Sequence, residues 1–176
     1  MSDAGPRDPS RWSHRLPIAA LALTGAGIAG YLAAFQLGFV HGVWDPLFGD
    51  GSRRVLHSSF SRALPVPDAL LGAVSYAVEV VLDLAGGGAG RWRRRPRLVL
   101  AFGAVVAGAA AVSAGLVVLQ AAVFGAFCTL CLCSAGTAFV IAALAVPEVR
   151  AAARHLLAAR RHAAPAARRA PATSDR

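Results

Sequence analysis

The chain has 176 residues, 56% of them hydrophobic and only 15% charged, which excludes an ordinary soluble domain and points to a membrane. The basic excess is all arginine, 18 against 9 acids. These arginines flank apolar runs and form no single stripe with interleaved aromatics, which argues against a nucleic-acid-binding protein. The length suits one compact bundle without a second folded domain.

Residues 1–16 are polar, with Pro6, Pro9, Arg7, Arg11 and Arg15, and read as a disordered tail. Pro17 to Val40 is the first apolar run, about long enough to cross a bilayer. It is longer than a signal-peptide core and lacks a small-residue cleavage site followed by a soluble domain. Gly25, Gly27 and Gly30 in this run suggest close helix packing. Residues 41–67 form a polar loop. Within it Val55, Leu56, Phe60, Ala63 and Leu64 recur at helical spacing, opposite Arg53, Arg54, His57, Ser58, Ser61 and Arg62. That pattern predicts a short amphipathic helix on the membrane surface. Asp68, just after Pro65-Val66-Pro67, is placed to N-cap the second apolar run, Ala69 to Ala85. Gly86-Gly87-Gly88 ends that run, and Arg91 to Arg97 make a dense basic loop. Leu98 to Ala122 is the third run, Val123 to Phe127 a very short connector, and Cys128 to Val146 the fourth run, closed by Pro147. The Ala/Arg-rich tail 148–176 continues at first as a helix along the membrane surface.

The expected fold is therefore an all-α integral membrane protein: a four-transmembrane-helix bundle over residues 17–147, with an extracytoplasmic surface half-helix in its first loop. Arginine placement gives the orientation. The N-terminal tail holds three, the first loop three, the second loop five, the last connector none and the C-terminal tail seven. The positive-inside rule puts both termini and the 86–97 loop in the cytoplasm, and the 41–67 loop and the 123–127 connector outside. The expected location is a cell (inner or plasma) membrane.

Cys128, Cys131 and Cys133 are the only cysteines. Three clustered cysteines cannot staple a fold together, so the Cys128-Thr129-Leu130-Cys131 pair reads as reactive. Two thiols at this spacing can close a disulfide ring, bind a soft metal, or do both at different times. On a helix they share a face, and Cys128 lies near a helix N-terminus, where the dipole favours a thiolate. The outward connector puts the pair in an oxidising compartment. Cys133 faces elsewhere and is expected to pack. Glu79 and Asp83, four apart on the second run, are expected to pair with Arg91 to Arg97 or to be held neutral. Gln36 and Gln120 are expected to hydrogen-bond between helices. His41 and His57 are expected to be solvated, and no metal site is expected from them.

Four apolar runs, an outward loop with a half-helix and a C-x-x-C opening the fourth run resemble the vitamin K epoxide reductase family. The stretches Trp44-Asp45-Pro46-Leu47-Phe48-Gly49, Arg54-Val55-Leu56-His57-Ser58-Ser59 and Pro67-Asp68-Ala69-Leu70-Leu71-Gly72 resemble its actinobacterial members. The resemblance implies a membrane oxidoreductase coupling thiol–disulfide exchange to a quinone of the menaquinone type, and supporting disulfide formation in an extracytoplasmic thioredoxin-fold partner. Carried over, Cys131 is the quinone-side thiol and Cys128 the exchange thiol. Asp68, Leu56 and Ser58 are the residues expected to contact the quinone, with an N-cap as the other reading of Asp68. The chain departs from the family in two places. The family's second cysteine pair in the first loop is missing: Ser52 falls where the later cysteine would sit, and Trp44 to Pro46 near the earlier one. The family's tyrosine four residues after the second helix cysteine is Ala135. Two other functions stay open at this point, a soft-metal-binding membrane protein using C-x-x-C-x-C and a redox-inactive scaffold.

Overall fold

The structure, a computed structural model, describes residues 8–49, 51–56 and 66–168, with 162–168 described by backbone alone. All regular structure among these residues is helical. In chain order the helices are α1 (Trp12–Gln36), α2 (Gly51–Leu56), α3 (Asp68–Leu84), α4 (Arg91–Arg94), α5 (Pro96–Leu119) and α6 (Thr129–Arg168). A π-helical turn, Gln120–Phe124, extends α5.

Among the described residues, three helical stretches are long and apolar enough to cross a membrane: Trp12–Gln36, Pro96–Phe124 and Thr129–Arg161. Helix α3 has 17 residues, or about 25 Å at 1.5 Å per residue. Large apolar side chains such as Leu23, Val81, Val112, Val118 and Phe139 point outward, as lipid-facing residues do.

Helix α1 packs along α3 and α6, and α5 packs along α6, whereas α3 and α5 touch over a shorter stretch. The core follows this arrangement. Ile18, Ala22, Ala29, Tyr76, Phe102, Val106, Ala138, Ile141 and Ala145 form one buried cluster. A second cluster, Leu32, Phe35, Leu56 and Cys128, sits at the end of the bundle where the chain turns into α6.

The opposite end is held by buried charge. Arg91 donates from Nε and Nη2 to the two carboxylate oxygens of Glu148 at 2.9 and 2.8 Å, and from Nη1 to the carbonyls of Leu82, Asp83 and Ala85. It therefore caps the C-terminus of α3, where the last carbonyls lack intrahelical donors. Ser10 Oγ donates to Glu148 Oε1 at 2.5 Å. Arg15 Nε meets Asp83 Oδ1 at 3.5 Å, and Arg15 Nη1 donates to the Gly87 carbonyl.

Several boundaries differ from the sequence reading. Helix α1 starts at Trp12 and runs through Pro17, and Arg15, assigned to a disordered tail, is fully buried. Its ion pair with Asp83 draws the segment into the bundle. Pro147 does not close α6, which continues to Arg168. A mid-helix proline loses one backbone bond. Here tertiary anchors flank it: Glu148 on Arg91, and Val149 so close to Gly103 that a Cβ there would lie 2.7 Å from it. Asp68 is the first residue of α3 and not its cap, which is Pro67. Of the expected half-helix, Gly51–Leu56 is helical, and residues 57–65, with His57 and Ser58, lie outside the described residues.

Candidate redox site

The start of α6 is built around Cys128. The π turn ends at Gly125, whose φ of +54° is the left-handed region a glycine tolerates. The chain then reverses and Cys128 takes the N-cap position, its carbonyl accepting from Leu132 N at 3.0 Å. Cys128 Sγ accepts from the Cys131 amide at 3.1 Å, as an N-cap side chain does. Gln120 Oε1 accepts from the Cys128 amide at 2.9 Å, so a residue of the preceding turn completes the cap. Cys128 and Cys131 are joined as a disulfide with Cα atoms 5.2 Å apart, within the range that such bonds require.

The two sulfurs have different surroundings. Cys128 is fully buried, packed by Leu32, Phe35 and Leu56 with Val43 and Val55 of the first loop alongside. Cys131 is half-buried and lines a cavity of about 420 Å³. Asp68, Leu56, Tyr76, Gln120 and Ser134 line the same cavity. Of the residues expected at a quinone site, Asp68 and Leu56 therefore meet Cys131 there, while Ser58 lies outside the described residues.

Asp68 is tied into the site by Gln36, whose Nε2 donates to Asp68 Oδ1 at 2.5 Å and to the Leu56 carbonyl at 3.4 Å. Gln36 Oε1 accepts from Ala69 N at 3.3 Å. One glutamine thus joins α1, α2 and the first turn of α3.

Tyr76 was not foreseen. It is buried, and its hydroxyl donates to the Ser134 carbonyl at 2.6 Å. Its ring lies over Gly25, where a Cβ would come within 2.5 Å of Cζ. Ala135, where the family carries its tyrosine, lines the cavity beside it. A phenol is therefore present at this wall, supplied by α3. The sequence signal was a tyrosine inside an apolar run that faces a glycine of another run.

The first loop is seated on α6 by Asp45. Its carboxylate accepts from the amides of Phe48 and Ser52, each at 3.0 Å, from Ser52 Oγ at 2.6 Å and from Thr129 Oγ1. Partial burial pushes its pKa up, but the hydrogen bonds from Ser52, Thr129 and Phe48 outweigh that and bring it down to about 2. Gly51 makes the second contact: a Cβ there would be 2.1 Å from the Phe127 carbonyl oxygen. The ring of Phe48 stacks at 5.4 Å from that of Phe127.

Cys133, expected to be a packing residue, is exposed. Two of the three thiols of C-x-x-C-x-C are committed to one disulfide. Among the described residues no group of three or more His, Cys, Asp or Glu side chains converges as a metal site would require. The Asp83 carboxylate pairs with Arg15, while Arg91 reaches its backbone carbonyl, and Glu79 has no ion-pair partner among the described residues.

A buried disulfide with one sulfur on an apolar cavity can do thiol–disulfide exchange on one side and pass electrons to a flat, apolar acceptor on the other. No match was found among the curated proteins. The vitamin K epoxide reductase family matches residues 16–146. That stretch contains most of α1, all of α3 and α5, the cysteine pair and the cavity, and on this ground the chain belongs to the vitamin K epoxide reductase family.

Proposed function

We propose that the chain is a four-helix membrane thiol oxidoreductase that passes two electrons from an extracytoplasmic dithiol through Cys128 and Cys131 to a menaquinone-like quinone. Both termini and the arginine-rich 86–97 turn lie on the cytoplasmic side, α3 is the second of four spans and α2 is the surface half-helix. The observation that carries this reading is Cys131, half of a disulfide, on the wall of an apolar cavity of about 420 Å³ between membrane helices. The donor set fits a quinone: the Cys131 sulfur, the Asp68 carboxyl and the Gln120 amide, and a largely apolar lining along the rest that holds a few hydroxyls and the Glu79 carboxyl.

A quinone bound there supplies a two-electron acceptor. The residues of the chain do the remainder. A partner thiolate attacks Cys128 Sγ, and the Cys131 sulfur leaves as a thiolate into the cavity. The partner's second thiol then resolves the mixed disulfide, which frees Cys128. Cys131, on the cavity wall, delivers the electron pair as the Cys128–Cys131 bond re-forms. Asp68 and Tyr76 orient the ring, and Leu56 with the cluster around Cys128 keeps water out. With no cysteine in its first loop, the chain takes its electrons directly from a thioredoxin-fold partner. The test is quinone reduction by a dithiol in membranes. Activity should vanish in Cys128→Ala/Cys131→Ala, and unchanged activity in that variant would overturn the reading.

A further inference from the structure

The cavity and the charged end of the bundle are connected along one face of α3. Among the described residues, four buried side-chain polar atoms lack a protein hydrogen-bond partner: both carboxyl oxygens of Glu79, Asp83 Oδ2 and Arg15 Nη2. All four lie in one column. Glu79 is 1% exposed and lines the cavity, one helical turn beyond Tyr76. Asp83 follows four residues later, about 6 Å along the axis. Its Oδ1 holds Arg15, and Arg15 reaches the Gly87 carbonyl in the arginine-rich turn.

Buried polar atoms without partners are costly, and inside a membrane they mark function by default. The titratable or charged groups near this column are Tyr76 on α3, Arg15 on α1, Arg91 on α4 and Glu148 on α6. The residues that α5 contributes to the cavity wall include none that titrate. Glu79 therefore faces the cavity with no cation against it. An apolar site of this kind accommodates a carboxyl as the neutral acid, the form that can donate a proton.

We propose that Glu79 and Asp83 are a proton path from the arginine-rich end of the bundle to the cavity, so that quinone reduction takes its protons from the side opposite the thiols. The inference rests on the function proposed above. The partner dithiol gives up two electrons and leaves two protons in water on the thiol side. Cys128 and Cys131 carry the two electrons. Glu79 donates a proton into the cavity, is reloaded through Asp83, and does so twice per turnover. In sum, one dithiol, one quinone and two protons from the arginine-rich side become one disulfide, one quinol and two protons on the thiol side. Turnover then charges the membrane. If the thiol protons passed locally to the quinone, turnover would be electrically silent.

The test uses the full chain in liposomes with the thiol side outward, a menaquinone analogue in the bilayer, an impermeant dithiol outside and a pH dye inside. Quinone reduction should make the lumen more alkaline. Glu79→Gln should slow quinone reduction about tenfold or more and abolish the lumenal signal, while the dithiol still reduces Cys128–Cys131 at the normal rate. Glu79→Asp should restore part of both. A readout without turnover is the infrared carbonyl band of a protonated carboxylic acid, present in the wild type and missing in Glu79→Gln. Quinone reduction with no lumenal change, or a Glu79→Gln variant matching the wild type in rate and infrared spectrum, overturns the path and leaves the proposed function standing. A wild type that never reduces quinone overturns that function and the path with it.

Discussion

Replacing Asp45 by alanine should open the way to Cys128. The first loop lies over Cys128 through Val43, Val55 and Leu56, and Cys128 has no exposed surface. An external thiol therefore attacks only when the loop lifts. Of the hydrogen bonds that Asp45 accepts, those from Phe48 and Ser52 are internal to the loop, and the one from Thr129 ties the loop to α6. A charge-assisted bond contributes about 1.5–3 kcal/mol. Asp45 keeps some solvent contact, so about 2 kcal/mol is a fair figure for the loop-to-helix tie. That is roughly a 30-fold rise in the open population. Where opening is fast relative to attack, reduction of Cys128–Cys131 by dithiothreitol should speed up by the same factor. Quenching with a maleimide that shifts gel mobility measures it. The folded pKa of Asp45, about 2, lies below its unfolded value. Its stabilisation is thus complete above about pH 4 and is lost as the pH falls through about 2. The acceleration should then be equal at about pH 6 and about pH 8 once the reagent's own thiolate fraction is divided out. An Asp45→Ala protein with wild-type helicity and an unchanged reduction rate would refute the idea that this loop gates Cys128.

Three further outcomes are expected. Gly25→Ala places a Cβ 2.5 Å from the Tyr76 ring and should lower stability in detergent by about 1–3 kcal/mol; Gly27→Ala, with open space around it, should melt like the wild type. Glu148→Ala strands the buried Arg91 guanidinium and should cost about 3–5 kcal/mol by thermal unfolding, with partial recovery in Arg91→Leu/Glu148→Ala. Cys133→Ser should leave quinone reduction and the titre of the reducible disulfide unchanged, since Cys133 is exposed and outside the bond; a purified protein that carries stoichiometric metal and loses it in this variant would favour the soft-metal reading instead.

What the sequence made readable was what depends on periodicity and local spacing. The apolar runs became α1, α3, α5 and α6, and the C-x-x-C became a helix N-terminus closed by a disulfide. The meeting of Asp68 and Leu56 with Cys131, more than sixty residues away in the chain, came from the family resemblance and not from any pattern within the run. What escaped depends on packing between helices. Tyr76 on α3 shares a cavity wall with Ala135, the position on α6 at which the resemblance implies a tyrosine, and no periodicity relates residues 76 and 135. Gln120 was expected to bond across helices, but its acceptor role at the Cys128 amide follows from the π turn, which has no strong sequence signature. Pro147 reads as a stop until Glu148 and Arg91 are seen to pair; the burial of Arg15 likewise needs Asp83 on another helix. In each case a tertiary contact outweighed a local preference.

The missing loop cysteines have a physical counterpart. The resemblance puts the family's two loop cysteines near residues 44–46 and at Ser52, and here Ser52 Oγ donates to Asp45 at 2.6 Å. A hydrogen bond therefore closes the loop at the point where the family has thiols. A thiol pair at those positions would link the conformation of the loop to its redox state, because opening and electron relay would involve the same sulfurs. The Asp45–Ser52–Thr129 cluster carries no electrons, so the seat of the loop is independent of oxidation. The loop can then act only as a cover, held to α6 by the Thr129 hydrogen bond, the Gly51–Phe127 contact and its packing on Cys128. Such a cover can be lifted by a partner that binds it, because an interface of ordinary size supplies more than about 2 kcal/mol. Under the proposed function, electron delivery becomes a docking problem on that account: the partner would have to displace the loop before its thiolate met Cys128, and specificity would reside in the loop surface, where Trp44 and Leu47 are exposed.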